Sequence, residues 1–67
     1  MKDQELLAKC RAAIADAIPG DAITVDVDPS VFGRADIDSV RRLLESDGWQ
    51  VYYQTGLGMP YLRFFKN

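Results

Sequence analysis

Apolar side chains recur along this chain first at helical spacing, then at alternate positions. The helical spacing then returns, and two alternating runs close the chain. In residues 3–18, Leu6, Leu7, Cys10, Ala13, Ile14, Ala17 and Ile18 return every three or four positions, with Lys2, Glu5, Lys9, Arg11 and Asp16 mostly off that stripe. This pattern predicts an amphipathic helix, with Asp3 as its N-cap and Pro19-Gly20 as its stop. The alanines raise helix propensity and thin the buried face, so the helix can lie close against a sheet. Residues 22–28 alternate, with Ile23, Val25 and Val27 opposed to Thr24, Asp26 and Asp28, which predicts a half-buried strand ended by Pro29. In the connection over 29–35, Val31 and Phe32 are expected to dip into the core and Gly33 to release the chain. A second helix is predicted over residues 35–47, with Ile37, Val40, Leu43 and Leu44 as its apolar stripe and Gly48 as its stop. Asp36 or Asp38 sits in its first turn, where negative charge suits the helix dipole. Asp38 with Arg42, and Arg41 with Glu45, are spaced to pair on its exposed side.

All the aromatic residues except Phe32 lie from Trp49 onward, on either side of the turn-forming stretch Thr55-Gly56-Leu57-Gly58-Met59-Pro60. That arrangement predicts a β-hairpin. Trp49, Val51 and Tyr53 share one face of its first strand, and Leu62 and Phe64 share one face of its second. These are the expected core faces, because the opposite choice would bury Gln50 and Arg63. The outer face then carries Tyr52, Tyr61, Arg63 and Phe65. Pro60 fits only at the start of its strand or on an edge.

The order α-β-α-β-β predicts an α+β domain over residues 1–67: a three-stranded mixed sheet with two helices packed on one face. A right-handed crossover makes the first two strands parallel, and the last strand fits between them in the order 1-3-2. This arrangement is expected to set Asp26, Arg63 and Tyr52 side by side on the outer face. A 1-2-3 order, with the last strand on an edge, is the alternative. Large-to-small changes at Trp49, Leu44 and Phe64 are expected to destabilise most.

Composition narrows the picture. The 67 residues are 48% apolar and 27% charged, as in an ordinary small globular domain. No run reaches the ~20 apolar residues of a membrane span, and the polar start of the chain does not read as a secretory signal. A cytoplasmic protein that does not bind membranes is therefore expected. The single Cys10 agrees, since it can form no internal disulfide. The net charge of −2 lacks the positive excess usual in domains built to grip nucleic acid.

Catalysis is not expected. The chain has no His, its lone Cys lies on an apolar helix stripe, and Ser30, Ser39 and Ser46 have no nearby activating base. Gly56-Leu57-Gly58 lacks the helix and Lys of a phosphate loop. Asp21, Asp26, Asp28, Asp36 and Asp38 make an acidic stretch, answered only by Arg34. Their spacing lacks the ligand ladder and Gly of a calcium loop, so no metal or cofactor is expected. The stretch reads either as acids placed locally at strand ends and helix starts or as a patch that docks on a basic protein surface.

The sharper candidate is the aromatic outer face, Tyr52, Tyr61 and Phe65 around Arg63, because aromatics and Arg are enriched at binding hot spots. Sheet aromatics can also stack single-stranded nucleic acid, but Gln50, Gln54, Thr24 and Asp26 surround these ones in place of basic residues. Helix, strand, helix and terminal hairpin together resemble a winged-helix layout. That resemblance implies that the helix before the hairpin reads DNA, with Arg34, Arg41 and Arg42 as the contacts and Gly56 to Pro60 as the wing. The same helix carries Asp36, Asp38, Glu45 and Asp47, which phosphate repels.

The leading expectation is a small non-catalytic interaction or regulatory protein, of the accessory or inhibitor kind that phages make. It would bind a protein partner through the aromatic face, the acidic surface or a strand edge. A winged-helix-like nucleic-acid binder is the alternative, and a homodimeric structural piece is a third class.

Overall fold

In the computed structural model, which describes residues 2–56 and 58–66, the two helical patterns and the three alternating runs each form one element. Helix α1 spans Asp3–Asp16, strand β1 Ile23–Asp26, helix α2 Arg34–Ser46, strand β2 Gln50–Gln54 and strand β3 Tyr61–Phe65. The sheet order is β1-β3-β2. Each hydrogen-bonded pair is antiparallel, so the mixed character of the expected sheet is confined to β1 and β2, which run the same way on either side of β3 without touching. Both helices lie on one face.

The core comes from the residues whose spacing singled them out. Leu6 and Cys10 from α1 meet Ile37, Val40 and Leu44 from α2 above Ile23, Val25, Val51, Leu62 and Phe64 of the sheet. Val27 continues the inward row past the end of β1, where its N–H donates to the Pro60 carbonyl at 2.9 Å. Phe32 closes the core from the connecting turn.

The helix ends show where local chemistry decides. Past α2, Gly48 takes φ +96°; its N–H donates to the Glu45 carbonyl, and the Trp49 N–H donates to that of Leu44. That is a Schellman stop, and the left-handed φ is what calls for glycine. Helix α1 ends two residues earlier than expected. Ile18, Pro19, Gly20 and Asp21 form a turn closed by Asp21 N–H to Ile18 C=O at 3.1 Å, with Gly20 at φ +94°. Proline second and a left-handed glycine third suit a type II turn. Ile18 therefore opens a turn instead of closing the helical stripe, and it is 70% exposed.

Other side chains also depart from the expected pattern. Asp3 is the first helical residue of α1, preceded by Lys2 in the capping position. The Lys2 N–H donates to Asp36 Oδ1 at 3.2 Å, and Asp36 Oδ2 accepts the Gly33 N–H at 3.1 Å. Asp3 Oδ2 in turn accepts the Ser39 hydroxyl at 3.2 Å. Asp36 of α2 thus satisfies a group at the start of α1, and Asp3 at the start of α1 reaches Ser39 in the second turn of α2, which no spacing within one helix could reveal. Val31 and Leu43 are exposed: the turn that buries Phe32 leaves Val31 outside, and Leu43 lies on the side of α2 away from the sheet. Trp49 is only half-buried at the sheet's rim, because α1 stops short of covering it.

Candidate functional site

The antiparallel register fixes which side chains the outer face presents. Ile23, Phe64 and Val51 form one inward row and Val25, Leu62 and Tyr53 the next. Side chains alternate across a strand, so the outward rows are Thr24–Arg63–Tyr52 and Asp26–Tyr61–Gln54, with Phe65 opposite Gln50. This corrects the expectation that Asp26, Arg63 and Tyr52 lie abreast. Thr24 takes that place and Asp26 lies one step along, opposite Tyr61. The reason is the inward register: matching Val25 to Leu62 leaves no other place for Asp26.

The four residues expected to form the patch come together. Tyr52 and Phe65 stack at 5.9 Å between ring centroids with planes 20° apart. Tyr52 is 46% exposed, Arg63 is exposed, and Tyr61 and Phe65 are half-buried. The Tyr52 hydroxyl donates weakly to Gln50 Oε1 at 3.4 Å. Among the described residues, neither Arg63 nor Asp26 has an ion-pair partner. The patch is a shallow, nearly uncharged surface with one cation amid aromatics and one anion at its corner.

The basic residues of α2 are placed differently. Arg34 Nε lies 3.5 Å from Asp38 Oδ1 and Arg41 Nε 3.8 Å from Glu45 Oε1, both pairs on the solvent side. Arg41–Glu45 is the expected pair. Asp38 instead pairs back to Arg34 and not forward to Arg42. Both arginines thus face acids of their own helix. Before α2, the Val31 and Phe32 N–H groups both donate to the Asp28 carbonyl. A single turn stands where the winged-helix layout would place a further helix. Leu57, in the stretch compared with a wing, lies outside the described residues.

Of the five acids in the stretch, Asp28, Asp36 and Asp38 take bonds among the described residues. Asp28 Oδ1 accepts the Ser30 hydroxyl at 2.6 Å and the Ser30 N–H at 2.9 Å, which holds its carboxyl below the usual range. Asp36 caps both helix starts, and Asp38 pairs with Arg34. Among the described residues, no three metal-ligating side chains converge. Cys10 is buried beneath α1, where burial pushes its thiol up to about 11.

One concave feature was not foreseen. Beyond the end of α1, a groove of about 410 Å³ is walled by Ile14, Ile18, Pro19 and Trp49, with Lys66 at its rim. The Lys66 ammonium sits 4.8 Å from the Trp49 ring centroid, and the ring meets Phe64 edge-on at 5.3 Å. The only advance sign was Pro19-Gly20 cutting short a stripe that still had Ile18 to bury.

In comparison with known proteins, the chain matches no family model, no curated protein and no solved structure. No helix among the described residues is long and apolar enough to cross a membrane.

Proposed function

We propose that this chain is a non-catalytic interaction protein that binds another protein, or a second copy of itself, through the outer face of its sheet. The observation that carries this reading is the cluster of exposed Tyr52 and Arg63 with half-buried Tyr61 and Phe65, in which the Tyr52–Phe65 stack lies beside a guanidinium that has no ion-pair partner among the described residues. Contiguous exposed apolar surface marks interaction sites more often than scattered residues do, and Tyr and Arg are enriched among binding hot spots. A cytoplasmic setting and a regulatory role belong to the same proposal.

The test is capture of partners by the tagged full chain from its own cells, with and without nuclease, beside a Tyr52→Ala/Arg63→Ala variant whose circular dichroism shows it to be folded. A partner that survives nuclease and is lost with the variant is the expected result. Equal capture by the variant would overturn the role of this face. Capture lost on nuclease treatment would instead favour the winged-helix-like reading through Arg34, Arg41 and Arg42, with its steep salt dependence.

A further inference from the structure

The outer face carries a self-complementary charge pattern. Arg63 and Asp26 are its only charged residues on the three strands, and they are of opposite sign. Asp26 lies opposite Tyr61, which is two positions from Arg63 on the same strand, so the two residues are diagonal neighbours with backbone positions about 7–8 Å apart. Both are exposed, and they do not pair with each other. Their neighbours Thr24, Gln50, Tyr52, Gln54, Tyr61 and Phe65 are uncharged, in a chain that is 27% charged overall. Aromatic residues and Arg are enriched at interfaces relative to the rest of a protein's surface.

A two-fold axis lying in the plane of the face and passing between the two charges would set each copy's Arg63 over the other's Asp26. One rotation makes two ion pairs, as an isologous contact requires. Tyr61 and Thr24, the other corners of this quartet, lie close to that axis, and the Tyr52–Phe65 stack flanks it. A partner unrelated to this chain would have to supply an acid and a base at this same diagonal, whereas a second copy supplies both automatically.

Resting on the reading that this face is an interaction surface, we propose that its partner is a second copy of the chain, in a two-fold symmetric dimer joined by reciprocal Arg63–Asp26 pairs. The sheet offers an area of only about 14 by 17 Å, well below the ~800 Å² per partner of a standard stable interface. The dimer is therefore weak and concentration-dependent.

Sedimentation equilibrium over a concentration series tests the proposal. The wild-type mass should rise from 7.5 kDa towards twice that value at millimolar concentration. Asp26→Arg and Arg63→Asp should each remain monomeric there, since each sets like charges face to face. An equimolar mixture of the two variants should associate at least as well as the wild type, because one then carries two cations and the other two anions at the paired corners. Circular dichroism confirms that both variants fold. A wild type that stays monomeric throughout, single variants that associate like the wild type, or a mixture that fails to associate would each overturn the dimer. If the dimer fails but capture of another protein still depends on Tyr52 and Arg63, the interaction face stands and only the identity of its partner falls.

Discussion

The two faces of β3 are built from neighbouring residues yet live in different environments. Leu62 and Phe64 are fully buried beneath the helices, whereas Tyr61, Arg63 and Phe65 alternate with them on a face that no helix among the described residues covers. Both faces are rich in large side chains. The inner one is closed by two helices tied together at their starts, and the outer one is closed only where Tyr52 lies on Phe65. Hydrophobic size alone therefore does not locate a core. What locates it is which face the amphipathic helices cover, and the aromatic surface left over is where a function by contact can reside.

The largest expected effect comes from the inner face. Phe64→Ala should cost about 3–5 kcal/mol in denaturant unfolding, because Phe64 is fully enclosed and supports Trp49 edge-on. So large a loss is a sizeable part of the stability that a domain this small commands. A cost near that of an exposed residue would break the distinction between the faces.

A smaller effect sharpens the same contrast through pH. Burial raises the Cys10 thiol to about 11, from the usual value near 9 that it regains on unfolding. Between these values the native state keeps a proton that the unfolded chain has lost. The resulting stability is fully present below the unfolded value and falls as pH rises towards 11, by at most about 1.4 kcal/mol per pH unit. Unfolding free energies of the wild type and Cys10→Ala, followed from neutral to alkaline pH, isolate that slope. Parallel curves would mean that the thiol is not enclosed.

The smallest effect belongs to the outer face. Tyr52→Ala removes one cross-strand stack and should cost only ~0.2–1 kcal/mol, while weakening partner binding far more than stability. Equal losses in melting temperature for Tyr52→Ala and Phe64→Ala would show that the outer aromatics are structural.

Much of the candidate site was legible in advance, because strand alternation is a strict period of two. Once Gln50 and Arg63 were kept out of the core, Tyr52, Tyr61, Arg63 and Phe65 had to share the other face. The neighbour of Arg63 was not legible. It depends on how β1 slides along β3, and the true register brought Thr24 where Asp26 had been expected. Trp49 was expected to be a core residue because its parity matches Val51, yet parity says nothing about whether a helix reaches far enough to cover it.

By itself, the sequence determined the five elements, their order, the inward faces and the stop at Gly48, because periodicity, turn chemistry and the left-handed preference of glycine act within a few residues. Only the tertiary structure decided the pairing of Thr24 with Arg63, the exposure of Ile18 and Leu43, the half-burial of Trp49, and the bonds of Asp36 to Lys2 and of Ser39 to Asp3 that join the two helices. Each of these depends on groups far apart in the chain meeting in one packing arrangement, and local patterns carry no record of that meeting.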